Sequence, residues 1–310
     1  MRFFKSVNID FIRNRYKFFV VSGLLFLVTI GAFIYRSGPN YGIDFTGGIL
    51  MQISFQDKVV LQDVRKAVEE SGIGSFELQS SGNLIIIRAK KNLKSQEEFE
   101  DSVKSSIRSK FPDNPFNIER VEYVGPTVGE YISKQAIYVF LFAFLGMIIY
   151  IAFRFKSSLW GLASIVGIIH DVVISLGFVI LVNKEINITV IAALLTVAGY
   201  SINDTIVLFD RIKENLRLLG KEDFATLINK SINEVLVRTV VTSLTVFIVA
   251  CSLFFLGGEV IHTFAYIMVI GTVLGVFSTI FICVSLVYEW ETRKSKRLKN
   301  AIKQGVVRSK

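Results

Sequence analysis

Hydrophobic positions along the chain gather into six long apolar runs, separated by polar stretches of very unequal length. The runs cover residues 18–35, 136–153, 159–182, 188–210, 239–256 and 262–288. At about 1.5 Å of rise per residue, each is long enough to cross a hydrocarbon layer ~30 Å thick as a helix. The pattern predicts a polytopic α-helical membrane protein with six transmembrane helices.

The long polar stretch lies between the first and second runs. Residues 36–135 hold 13 Lys+Arg against 14 Asp+Glu, and nothing there is long enough to span. Residues 49–55 alternate as a strand, and 58–71 have helical spacing through Val60, Leu61, Val64, Ala67 and Val68. Residues 75–79 and 84–89 read as short strands around a turn at 80–83. Residues 95–111 read as a second helix, with Glu97, Glu98 and Glu100 early and Arg108 and Lys110 late, as the helix dipole favours. Residues 116–124 complete the set as a strand. The order β-α-β-β-α-β is the split-βαβ, ferredoxin-like arrangement of an α+β domain. It has no His, Cys or nucleophile motif, so a binding or mechanical role is expected. Two glycine-rich stretches bracket it, Gly42-Ile43-Asp44-Phe45-Thr46-Gly47-Gly48 and Val124-Gly125-Pro126-Thr127-Val128-Gly129. Read locally they are turns, and read functionally a hinge built on Gly42, Asp44, Gly47, Gly48, Gly125, Pro126 and Gly129.

Of the 310 residues, 52% are hydrophobic and 20% charged, with 27 Phe and 4 Pro, unlike an ordinary soluble domain. The formal charge of +9 raises the question of nucleic acid. The basic residues instead cluster at the ends of apolar runs: Arg2, Lys5, Arg13, Arg15 and Lys17 before the first, Arg154 and Lys156 after the second, and eight Lys+Arg within 289–310. This is the pattern that orients membrane helices. It places 1–17, the polar segment 211–237 and the tail 289–310 in the cytoplasm, and 36–135 on the external, periplasmic side. The first run is longer than a signal-peptide core and lacks a small-x-small cleavage site, so an uncleaved helix is expected. Cys251 and Cys283 lie in apolar runs and are expected to pack as small hydrophobes.

Candidate chemistry sits inside the runs. Asp204 interrupts the fourth, where a carboxylate costs about 2.5–3.5 kcal/mol to insert and normally marks an ion or proton path. Arg238 opens the fifth from the same side and so reaches a similar depth. An opposite charge nearby favours the ionised carboxylate and desolvation the protonated one, so a motion that separates Asp204 from Arg238 would load and release a proton. Arg238 reads equally well as a snorkelling flank residue. His170-Asp171, midway along the third run, is a possible relay or support, with Asn203, Thr205 and Thr242. A carboxylate among hydroxyls suits sodium as well as a proton. Gly271 and Gly275 in the sixth run fit close helix packing.

These residues resemble the SecD/SecF family of bacterial protein-export membrane subunits, within the RND superfamily. The resemblance rests on the two glycine stretches, His170-Asp171, Ser201-Ile202-Asn203-Asp204-Thr205-Ile206-Val207-Leu208-Phe209-Asp210-Arg211, Arg238-Thr239 and Thr242-Ser243-Leu244-Thr245. It covers nearly the whole chain and fits a separate subunit of the family rather than a fused pair. It implies an RND-like membrane fold and pairing with SecD. It also implies association with the SecYEG translocon, often with YajC, and use of the proton-motive force to move a preprotein across the cytoplasmic (inner) membrane. It places the family's intramembrane Asp and Arg on Asp204 and Arg238. No cofactor beyond the ion gradient and no metal is implied; membrane lipids are expected partners and nucleic acid is not. Three other readings stand beside it: a proton-coupled small-molecule or lipid exporter, a passive scaffold in which Asp204 and Arg238 are only structural, and an intramembrane enzyme on His170-Asp171. The first lacks half the expected spans, and the last lacks a nucleophile or metal set.

Overall fold

The alternation at residues 49–55 becomes strand β1 (Gly48–Phe55), and its inward residues Ile49, Met51, Ile53 and Phe55 are all buried. The computed structural model describes residues 9–74, 76–81, 83–89, 96–155, 157–219 and 222–303. Arg2, Lys5, Ser75, Gly82, Ser95, Lys156 and the tail beyond Lys303 lie outside this set. Two units divide the chain, one built from Tyr41–Val139 and one from Met1–Asn40 with Phe140–Lys310.

In the first unit β1 is joined by β2 (Phe76–Ser81), β3 (Leu84–Ala89) and β4 (Phe116–Val124), all antiparallel, in the order β2-β3-β1-β4. This is the ferredoxin-like sheet that the element order predicts. Helices α3 (Leu61–Glu70) and α4 (Gln96–Lys110) cover one face, packing Val64, Ala67, Val68, Phe99, Val103 and Ile107 onto the inward residues of β1 and β3. A register shift between Gln52 and Ile53 lets both Ile118 and Val121 of β4 pack on this core although they are three residues apart.

The first glycine stretch holds a one-turn helix, α2 (Ile43–Thr46), which starts after Gly42 and has Asp44 in its first turn. Its Ile43 packs with Leu50 and Ile86 on the other sheet face. Three of the candidate hinge glycines, Gly47, Gly48 and Gly129, are closely packed. A Cβ on Gly129 would stand 2.8 Å from the Gly47 nitrogen, and one on Gly47 3.1 Å from the Pro126 Cα. Gly48 combines φ +138 with an approach that would put a Cβ 2.5 Å from the Ala89 carbonyl oxygen. Side chains are excluded because two backbones interlock here, a contact that neither stretch reveals alone. Gly48→Ala is therefore expected to destabilise this unit by about 2–4 kcal/mol. Gly125→Ala, whose nearest neighbour is 3.8 Å away, should stay within about 0.5 kcal/mol. Thermal unfolding of the two variants checks the contrast.

The six stretches long and apolar enough to cross a membrane are α1 (Arg15–Tyr35), α5 (Pro126–Phe155), α6 (Ser158–Leu181), α7 (Ile188–Leu218), α8 (Phe224–Leu256) and Val260–Arg297. The last is built from α9 (Gly258–Phe277), a π-helical turn at Ser278–Cys283 and α10 (Val284–Lys303). The polar segment 211–237 is not a separate element: it supplies the end of α7 and the start of α8. Asn187 caps α7 by accepting from the Val190 N–H, and Asp223 caps α8 by accepting from Ala225 and Thr226.

Within this unit α7 packs against α6, α8, α9 and the π turn. Small residues allow the close approaches. A Cβ on Gly271 would meet Val197 at 2.2 Å, and one on Gly275 lies 3.5 Å from the Ser201 Cα. Gly167 faces the buried Cys283, and Gly177 faces Thr29 of α1.

Candidate functional site

Asp171 is the most deeply set carboxylate among the described residues, with 0% exposure in the middle of α6. Three donors converge on it. Ser201 Oγ donates to Oδ2 at 2.5 Å, Ser278 Oγ donates to Oδ2 at 2.7 Å, and His170 Nδ1 lies 2.8 Å from Oδ1. The donors come from α6, α7 and the π turn, so one carboxylate ties three elements together. Beside it Thr205 Oγ1 sits 2.8 Å from Thr279 Oγ1 and donates to the Ser201 carbonyl at 3.2 Å. Adjacent residues of an α-helix point about 100° apart. The wider π turn brings both Ser278 and Thr279 onto partners in the packed interior. His170 is 2% exposed, and its Nε2 has no hydrogen-bond partner among the described residues. The ring lies against Phe26 and Phe277, with centroids 5.6 and 6.1 Å away.

Asp204 is 3% exposed, on a neighbouring face of α7 directed at α8. Among the described residues it accepts a single hydrogen bond, from Ser243 Oγ at 3.2 Å. Arg238 is not brought to it. Arg238 is exposed and forms no ion pair among the described residues. The reason is angular: five residues separate Arg238 from Ser243, which turns the two side chains about 140° apart around the helix axis. Arg238, Thr242 and Thr245 instead form one exposed stripe of α8 at i, i+4 and i+7, while Thr196, Gly199 and Asn203 form an exposed stripe of α7. The threonines satisfy themselves by donating to their own helix, Thr242 to the Arg238 and Thr239 carbonyls and Thr245 to Thr242. Asn203 and Thr242 thus stand outside the buried site, and Thr205 stands with Asp171 rather than with Asp204.

The charged residues after Asp204 form a belt at one end of the bundle. Asp210 pairs with Arg154 of α5, and Arg211 bridges Glu214 at 2.6 Å and Glu234 at 2.7 Å. Lys213 donates to the Phe155 carbonyl at 2.9 Å. The same end receives residues 9–12. Asn229 Oδ1 accepts from the Phe11 and Ile12 N–H groups, and Asn233 exchanges two hydrogen bonds with the Ile9 backbone. Arg15 pairs with Glu289 of α10 at 2.6 Å.

The two buried carboxylates are therefore equipped for different tasks. Three donors occupy the lone pairs of Asp171, which suits a fixed tie-point. Asp204, with one weak donor, has lone pairs left for a proton, a cation or a group from outside the chain. Both carboxylates and His170 stand out within the apolar runs, whereas Ser278 and Thr279 do not. Their signal is two consecutive hydroxyls inside an apolar run.

Residues 102–293 match the family described as "Protein export membrane protein SecD/SecF, C-terminal", and residues 32–59 match the SecD/SecF GG motif. The chain is 78% identical over 310 residues, all of both chains, to the protein translocase subunit SecF of Endomicrobium trichonymphae. It is 41% identical over 286 residues to that of Calditerrivibrio nitroreducens, covering 91% of this chain and 93% of the relative. Among solved structures, SecDF of Thermus thermophilus, a translocon-associated membrane protein, aligns with TM-score 0.82 at 33% identity over 92% of this chain. A second SecDF structure, in a super-membrane-facing form, aligns with TM-score 0.65 at 30% identity over 96%. This chain spans 39% and 41% of those two chains.

Proposed function

The chain belongs to the SecD/SecF family of protein-export membrane proteins, and we propose that it is the SecF-type subunit of the bacterial protein translocase. In this reading it pairs with SecD, associates with SecYEG and YajC in the cytoplasmic membrane, and uses the proton-motive force to promote preprotein movement. Asp204 takes up and releases the proton. One elementary charge crossing 100 mV supplies about 2.3 kcal/mol, enough for one or two protons to drive a modest rearrangement of packed helices.

The observation that carries this reading is the pairing of a buried, nearly free carboxylate with polar stripes left uncovered beside it. Arg238, Asn203 and Thr242 are exposed on helices that lie in a membrane, and an ionisable group there requires a partner helix or a wet path. A second membrane subunit, of the kind represented by the rest of a SecDF chain, would cover the stripes and complete the path from its own side. Arg238 then acts across the subunit interface rather than as a standing partner of Asp204. A sodium ion could use the same carboxylate with the Ser243 hydroxyl.

The belt supports one sidedness. Residues 9–12, the start of α8 and α10 meet at one end of the bundle, and the basic flanks favour a cytoplasmic location for that end. The unit Tyr41–Val139 is then external, where it meets the emerging preprotein. The interlocked glycines at 47, 48 and 129 would pass a displacement of the start of α5 into the sheet rather than absorb it. This is a transport role, with no reaction chemistry assigned to any side chain.

The test is reporter export by vesicles carrying SecYEG and SecD, with and without this chain, under an imposed proton gradient. The gradient should stimulate export only when the chain is present. Arg238→Ala should lose that stimulation while the isolated chain keeps its thermal midpoint, because the side chain is exposed and unpaired. Equal stimulation with and without the chain would overturn the assignment.

A further inference from the structure

The start of α1 and the inner stripe of α10 enclose a cleft of about 550 Å³. Its apolar end is formed by Phe19 and Leu286, its middle by Tyr16 and Trp290, and its outer end by Lys294 and Arg297. On α10 the residues Leu286, Trp290, Lys294 and Arg297 follow at i, i+4, i+8 and i+11, one face of a helix. Read outward from the apolar run, this face changes from aliphatic to aromatic to cationic. That is the order met on leaving a bilayer: acyl chains, the interface where Trp and Tyr concentrate, then headgroups.

The charges at the outer end are available. Glu289 is already engaged by Arg15 at 2.6 Å, by the Tyr16 hydroxyl at 2.9 Å and by Arg293 at 3.4 Å. Arg15 is further held against the Tyr16 and Tyr288 rings. Lys294 and Arg297 are exposed and form no ion pair among the described residues. Trp290 is 48% exposed, a large apolar surface beside two unpaired cations.

We propose that this cleft is a binding site for one diacyl phospholipid with a net negative headgroup. Its acyl chains lie along Phe19 and Leu286, its glycerol region packs on Trp290, and its phosphate pairs with Lys294 and Arg297. The charge commits the site to an anionic lipid rather than a zwitterionic one, and the aliphatic end commits it to a lipid rather than free phosphate. The proposal rests on α1 and the sixth apolar stretch being membrane helices and does not depend on the transport reading.

Trp290 is one of two tryptophans in the chain, and the other, Trp160, is buried. Trp290 therefore reports directly on the cleft. The full chain is reconstituted in phosphatidylcholine vesicles containing brominated acyl chains, carried either on phosphatidylglycerol or on phosphatidylcholine at equal mole fraction. Half-maximal quenching should need about fivefold less of the anionic lipid for each unpaired cation. The preference should vanish in the K294Q/R297Q variant, and the quenched component should vanish in Trp290→Phe. Inorganic phosphate should not reverse the effect. Equal quenching by the two lipids, a preference that survives K294Q/R297Q, or reversal by inorganic phosphate would each overturn the proposal. No export is measured, so failure here leaves the translocase assignment untouched.

Discussion

Asp204→Asn is expected to remove the gradient-dependent part of export while leaving the chain folded and assembled. Asn has the shape of Asp and retains an oxygen to accept the Ser243 hydrogen bond, so the packing of α7 on α8 is preserved. It cannot exchange a proton in the working range, and among the described residues no second carboxylate faces the site to substitute for it. Asp171 is held by three donors facing another side of α7. The expected loss is the whole gradient-stimulated component, measured as reporter export at equal complex abundance. A scaffold role for Asp204 predicts no change, because the Ser243 contact survives the substitution.

The second large effect is on stability. Asp171→Ala should lower the stability of the membrane bundle by about 2–4 kcal/mol, because it removes the acceptor of the buried Ser201 and His170 donors and leaves Ser278 only the Gly275 carbonyl at 3.2 Å. Individual interhelical hydrogen bonds in membranes average only about 0.6 kcal/mol. Here three converge on one carboxyl group, and their loss also frees the π turn from α6. Asp171→Asn, which keeps an acceptor but turns an amide donor toward donors, should fall between wild type and Ala. The thermal midpoint of the detergent-solubilised chain measures both variants. Export should fall with the amount of folded protein and keep its gradient dependence. The two buried carboxylates are thus separable: substitution at one abolishes coupling, and at the other it weakens the fold.

Much of this architecture is legible along the chain because its signals are one-dimensional. Apolar runs give the membrane helices, alternation gives β1, and a carboxylate inside an apolar run marks Asp204 without any structure. What is not legible depends on azimuth and on distant partners. The depth of Arg238 can be counted from its helix, but which way it points is fixed by the face of α8 that packs on α7. A membrane helix that is apolar nearly all round does not declare that face. The π turn has no sequence period of its own, so the convergence of Ser278 on Asp171 and of Thr279 on Thr205 stays hidden. The glycines at 47 and 129 look like flexible punctuation until the two stretches are seen to touch. Asn229 and Asn233, one helical turn apart, carry a faint signal for a polar clamp, but nothing local says that residues 9–12 fill it.

Asp204 is expected to carry protons across while export proceeds. The most direct measurement follows the lumenal pH of export-competent vesicles with a trapped indicator, while a reporter is translocated, for wild type and Asp204→Asn at equal abundance. Proton movement down the gradient should rise with export in wild type and be absent in Asp204→Asn. Equal proton movement in the two would contradict it and place the coupling on another group.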